Sequence, residues 1–145
     1  MKLYAVIDTN VLVSSLLSVR ENSPVVLVWD SILNGDIIPM FNEDILTEYE
    51  QVLSREKFHI NKEIIKDILA VINIRGIFCT PIKTDLVISD PDDRVFFEIM
   101  LSRSDAYLIT GNKKHFPQFE RVISPAEAVY IIQSQESDNK FLNEP

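Results

Sequence analysis

Apolar residues along this chain fall into two rhythms. Short unbroken runs alternate with longer stretches in which apolar positions recur every three or four residues. The first run, Leu3-Tyr4-Ala5-Val6-Ile7, is closed by Asp8-Thr9-Asn10. An apolar run of this length predicts a strand covered on both faces, as in parallel sheets. Val11 to Leu17 then reads as a helix. Ser23 and Pro24 open a second helix, which carries Val25, Leu27, Val28 and Ile32 and stops at Asn34-Gly35. Ile37 to Phe41 predicts a second strand, and Pro39 argues for its early end or a less central place.

Asn42 caps the next predicted helix, about 43 to 54, with Ile45, Leu46, Tyr49, Val52 and Leu53 at helical spacing. Asn61 starts another, carrying Ile64, Ile65, Ile68, Leu69 and Ile72 up to Gly76. Ile77 to Thr80 predicts a third strand. Asp90-Pro91-Asp92-Asp93 opens a helix to about Ser102, Tyr107 to Thr110 predicts a fourth strand, and Arg121 to Ile123 a fifth. Ser124-Pro125 caps a last helix from Ala126 to Ile132. The strand–helix alternation predicts an α/β sandwich on a parallel sheet of four to five strands. It occupies residues 1–133 as one domain. The polar, aperiodic stretch 134–145 is expected to be a flexible tail.

Composition narrows the classes. The chain has 145 residues and a formal net charge of -8, which excludes a generally basic nucleic-acid coat or a polybasic membrane-surface protein. A single cysteine, Cys79, excludes an intramolecular disulfide and a cysteine zinc cluster and fits a reducing cytoplasm. Within Ile77-Phe78-Cys79 it is expected to be a buried small hydrophobe. No secretory segment opens the chain, and no stretch approaches the ~18 apolar residues of a membrane span.

Sites in open α/β sheets lie beyond the carboxyl ends of the strands. Asp8 follows the first strand, as a helix cap or as a metal or catalytic carboxylate; Asn10 supports it or the turn. In the Asp90 segment, Asp90 fits the N-cap and Pro91 the first turn. At about 100° per residue, Asp93 falls inside the stripe of Phe96, Phe97, Met100 and Leu101, whereas Asp92 lies on its flank. A carboxylate turned toward a packed face is costly unless it is paired or holds a cation. Glu48 and Glu50 flank their own stripe equally, and periodicity does not choose between them. Thr110-Gly111-Asn112 follows the fourth strand and offers neutral oxygens. If the first and fourth strands pair, Asp8 and Asp93 become neighbours. Two carboxylates at about 4 Å repel by several kcal/mol at an effective dielectric near 20. All these donors are oxygens, which suits a hard cation such as Mg²⁺ or Mn²⁺.

Four segments together resemble PIN-domain proteins, over roughly residues 1 to 132. They are Val6-Ile7-Asp8-Thr9-Asn10-Val11-Leu12, Glu48-Tyr49-Glu50-Gln51-Val52-Leu53, Asp90-Pro91-Asp92-Asp93-Arg94-Val95-Phe96, and Tyr107-Leu108-Ile109-Thr110-Gly111-Asn112-Lys113-Lys114-His115-Phe116. The subgroup they resemble holds the toxins of prokaryotic toxin–antitoxin pairs. The resemblance implies a three-layer α/β/α sandwich and a Mg²⁺- or Mn²⁺-dependent endoribonuclease acting on RNA in the cytoplasm. It implies Asp8, Glu48 and Asp93 as catalytic, metal-holding acids, and so chooses Glu48 over Glu50. The fourth position of the family's acidic set is often Asp and here is Asn112, which offers a ligating oxygen without charge. Asn10, Thr110, Asp90 and Asp92 are supporting residues, and Arg94, Lys113, Lys114 and His115 are expected along the RNA backbone. An antitoxin partner and a homodimer are family expectations. The missing fourth acid keeps open a catalytically weak RNA- or protein-binding module. A receiver or phosphatase-like domain fits poorly, because Asn10 stands where the phosphatase needs a second Asp and a receiver lacks its paired acids.

Overall fold

The computed structural model describes residues 2–142. In chain order its elements are β1 (Leu3–Ile7), α1 (Thr9–Leu17), α2 (Pro24–Asn34), β2 (Ile37–Phe41), α3 (Glu43–Leu53), α4 (Lys62–Arg75) and β3 (Ile77–Phe78). Then come α5 (Pro91–Met100), β4 (Tyr107–Ile109), β5 (Val122–Ile123) and α6 (Pro125–Leu142). Single 3₁₀ turns lie at Glu56–Phe58 and Lys113–His115. The boundaries follow local chemistry. Asn42 Oδ1 accepts the Ile45 N–H at 3.0 Å, and Asn61 Oδ1 accepts that of Glu63 at 2.7 Å. Each satisfies a first-turn donor that the helix itself cannot. Gly35 ends α2 at φ 89°, a left-handed conformation that costs glycine little.

All five strands are parallel, in the order β3-β2-β1-β4-β5. The connections from β1 to β2 and from β2 to β3 step one way, and the connection from β3 to β4 steps back across β1. Right-handed crossovers therefore put α1 to α4 on one face and α5 on the other, where α5 packs on β1, β2 and β4. The result is an α/β/α sandwich. Strand order reverses between β1 and β4, whose register pairs Val6 with Leu108 and Ile7 with Ile109. A crevice at the carboxyl ends of strands opens at such a reversal. One residue further on in each strand stand Asp8 and Thr110.

Four expectations need correction. Strand β2 is interior, although it contains Pro39. The Pro39 carbonyl faces Gly76, and a strand residue's N and O point to the same side, so the missing N–H faces that side too. Pairing with β3 begins only at Met40, one residue later, and no ladder bond is forfeited. The third strand stops at Phe78, and beside this two-residue edge Cys79 is half-buried while Phe78 is exposed. Helix α1 begins at Thr9, directly after Asp8. Helix α6 runs to Leu142 instead of ending at Ile132. The polar stretch after Ile132 holds no proline or glycine before Pro145, and its Gln, Glu and Lys residues are good helix formers. Residue 133, where the expected domain ends, lies within α6. Residues 143–145 of the expected tail lie outside the described residues.

Candidate active site

Asp8 ends β1 and sits at the N-cap position of α1, yet its carboxylate makes no capping hydrogen bond. It is buried, and the buried Thr110 hydroxyl donates to its Oδ2 at 2.7 Å from the end of β4. Burial raises the Asp8 pKa above the ordinary carboxylate range; the Thr110 hydroxyl and the first-turn N–H groups of Thr9 and Asn10 pull it partly back. The Thr110 hydroxyl also accepts the Asn112 N–H at 3.0 Å, so the turn after β4 is locked to the same point.

Glu48 projects from α3, half-buried, and the buried Thr9 hydroxyl donates to its Oε2 at 2.5 Å. Its neighbour Tyr49 fixes the helix. The Tyr49 ring is fully buried against Phe96, with centroids 6.1 Å apart, and its hydroxyl donates to the Ile7 carbonyl at 2.5 Å, one residue before Asp8. Burial, with the charges of Asp8 and Glu48, drives the Tyr49 pKa well above its usual value, so Tyr49 remains a neutral donor. Burial raises Glu48 as well, and the negative charges of Asp92, Asp8 and Asp90 push it further, against the Thr9 hydroxyl. Glu50 is exposed on the same helix.

Asp93 enters from the first turn of α5, on the opposite face of the sheet. Asp90 caps that helix as the spacing predicts, its Oδ1 accepting the Asp92 N–H at 2.9 Å. The Asp93 side chain is 18% exposed, consistent with its place inside the apolar stripe. Its pKa is raised to about 6, first by burial and then by the charges of Asp8, Asp90 and Glu48. Asp92 is exposed and borders a groove with Glu48, Asp44 and Gln51.

Asp8, Glu48 and Asp93, from three different elements, thus lie close enough to oppose one another's ionisation. Thr9 and Tyr49, which orient this set, were missed as site residues in the sequence. In the sequence Thr9 is one residue of the segment that closes the first apolar run and Tyr49 one more apolar-stripe position, and neither place signals a site. Asn10 is exposed at the rim. Asn112 is exposed, and its amide Nδ2 lies 3.0 Å from His115 Nε2, while His115 Nδ1 lies 3.8 Å from Asp93 Oδ2. His115 therefore bridges the turn and the acidic site. Lys113 pairs with Glu127 of α6, and Lys114 is exposed. Arg94 is turned away from the acids. Its guanidinium donates to the Thr84 and Leu86 carbonyls at 2.9 Å each, and it lies 3.9 Å from Glu98.

Among the described residues no three His, Cys, Asp or Glu side chains already stand as ligands to one point. The chemistry of the donor set nevertheless fits a hard divalent cation. Carboxylates disfavoured in their charged form by burial, with Asp8 further raising Glu48 and Asp93, are relieved by positive charge among them, and carboxylate, amide and hydroxyl oxygens are what such ions prefer. Among the described residues no helix is long and apolar enough to cross a membrane.

No curated protein and no solved structure matches this chain. A PIN domain family model does match, over residues 4–114, a span that holds β1, the acids at 8, 48 and 93, and Asn112. The five-stranded parallel sheet agrees with that match, and the chain belongs to the PIN domain family, whose members are generally divalent-metal-dependent nucleases.

Proposed function

We propose that this protein is a Mg²⁺- or Mn²⁺-dependent endoribonuclease, with Asp8, Glu48 and Asp93 as its catalytic, cation-holding acids. The observation that carries the reading is the gathering of these three carboxylates around the β1–β4 strand reversal, where burial raises the pKa of each and the charge of Asp8 raises Glu48 and Asp93 further. Such a cation, when bound, lowers the pKa of a water and neutralises charge developing at phosphorus. The chain's own residues do the orienting. Thr110 holds Asp8, Thr9 holds Glu48, and Tyr49 ties α3 to the end of β1. Burial of Asp8 keeps bulk water from screening its charge. Asn112 adds a neutral carbonyl oxygen where a fourth acid would add charge. Lys114 and His115 lie on the rim, where a phosphodiester backbone would pass.

The family resemblance of the four motifs supports a narrower reading, the nuclease of a toxin–antitoxin pair with a protein antitoxin, acting as a homodimer. Induced expression would then arrest growth, and co-expression with the neighbouring small open reading frame would relieve the arrest. The chemical test is Asp8→Asn. This variant removes one negative charge from a crowded site and keeps its shape. It should fold normally and lose Mg²⁺-dependent cleavage of single-stranded RNA. Undiminished cleavage by a pure preparation refutes the assignment. RNA binding without turnover by the wild-type chain points instead to a binding module, the reading that Asn112 favours.

A further inference from the structure

The turn that follows β4 has a second side. Beyond the Lys113–His115 turn, the segment to Val122 and the start of α6 enclose an open cleft of about 650 Å³. That volume lies within the range of small-molecule sites. Its lining mixes cationic, aromatic, amide and carboxylate groups: Lys113, Lys114, Gln118, Phe119, Glu120 and Glu127.

Several contacts brace this cleft. Ser124 and Glu127 form a reciprocal capping box at the start of α6. The Ser124 N–H donates to Glu127 Oε1 at 3.1 Å, and the Glu127 N–H donates to Ser124 Oγ at 3.1 Å. The same Glu127 carboxylate holds the Lys113 ammonium, tying the turn to α6. Phe119 meets the buried Phe97 edge-on at 5.8 Å and has the Arg121 guanidinium 5.0 Å from its ring centre. The Arg121 guanidinium thus lies over one face of the ring, and the half-buried Phe119 lines the cleft. Lys114 has no acidic partner among the described residues.

We infer that this cleft is a subsite for one unpaired base of an RNA strand, next to the phosphodiester held at the acidic site. The inference rests on the nuclease reading for its orientation. Phe119 provides an apolar ring surface on which any base can stack. The Gln118 amide offers both a donor and an acceptor to a base edge. The carboxylates of Glu120 and Glu127 favour bases that present an amino group, adenine, cytosine and guanine over uracil. Lys114 meets the phosphate beside that base. A base already stacked in a duplex cannot enter, so the cleft selects single strands. Continuity with the acids runs through the turn itself. His115, one residue after Lys114, lies 3.8 Å from Asp93.

The test uses the full chain and fluorescently labelled decamers of A, C and U. Binding is read by anisotropy with Ca²⁺ in place of Mg²⁺, and cleavage is read separately in Mg²⁺. Phe119→Ala should weaken decamer binding about tenfold, the loss of one base–aromatic stack. Phe119→Trp should retain it. Lys114→Ala should weaken all three decamers alike, and Gln118→Ala should change their ranking. In cleavage, KM should rise for Phe119→Ala while kcat holds. Wild-type affinity in both Phe119→Ala and Lys114→Ala overturns the subsite, and if the wild-type chain still cleaves, the nuclease reading survives. Binding with the expected dependence but without cleavage leaves the subsite standing and removes the nuclease. Equal binding of duplex and single strands, or of a free nucleoside monophosphate as tightly as a decamer, also overturns it. If loss of the Phe97 contact unfolds Phe119→Ala in a thermal melt, the exposed Lys114→Ala and Gln118→Ala decide the outcome.

Discussion

Replacing Asp93 by asparagine should make the metal-free protein more stable while removing its response to divalent ions. The Asp93 carboxyl is raised from 3.8 to about 6 by burial and by Asp8, Asp90 and Glu48. A shift of that size corresponds to at most about 3 kcal/mol of folding free energy lost when the group is charged. Solvent reaches part of the side chain, and screening reduces the expected effect to about 1 kcal/mol. The sign follows from proton counting. Between about pH 4 and 6 the folded chain binds a proton that the unfolded chain has released, so stability falls as pH rises through that window. The amide of the Asp93→Asn variant does not titrate, so this dependence disappears. In EDTA at pH 8, Asp93→Asn should melt about 2–4 °C above the wild type, and the gap should close toward pH 4. Added Mg²⁺ should reverse the order, because only the wild type gains the linkage term, about 2.7 kcal/mol at a hundredfold excess over Kd. Thermal unfolding followed by circular dichroism across pH 4–8 measures all three. A variant less stable than wild type at pH 8 in EDTA, with the same pH slope as wild type, would refute mutual repulsion as the organising feature of the site.

Other outcomes are equally specific. Thr110→Val keeps the shape of a fully buried residue but removes the donor to Asp8; denaturant unfolding at neutral pH should show a loss of about 1.5–3 kcal/mol. Gly76→Ala would set a Cβ 2.3 Å from the Pro39 carbonyl oxygen and 2.6 Å from that of Ile72. Neither backbone atom can yield freely, and a loss of roughly 3 kcal/mol or a failure to fold is expected, read from the unfolding midpoint. Arg94→Ala should leave RNA binding unchanged and speed proteolysis near residues 82–87, because its guanidinium is committed to the carbonyls of Thr84 and Leu86. A large loss of RNA affinity would restore the phosphate-contact role that the sequence suggests for it.

Much of this protein is determined locally, and that part can be read from the chain. Apolar runs between capped, periodic stretches specify parallel strands and their connecting helices, because burial on both faces and first-turn capping are properties of short segments. The Asp90 cap and the inward position of Asp93 follow from helical geometry alone. Pairing across the sheet is different, since it joins residues far apart in sequence. Only the β1–β4 register sets Thr110 against Asp8, 102 residues away, and only the packing of α3 sets Thr9 against Glu48. Periodicity leaves Glu48 and Glu50 equivalent; the Tyr49 hydroxyl on the Ile7 carbonyl turns α3 so that Glu48 faces the acids and Glu50 faces solvent. The chain also could not show that Arg94 is consumed by a loop, that Pro39 escapes the ladder because β3 starts late, or that polar residues after Ile132 continue a helix. Composition names the oxygens of the site, but their mutual charge repulsion exists only where the fold brings them together.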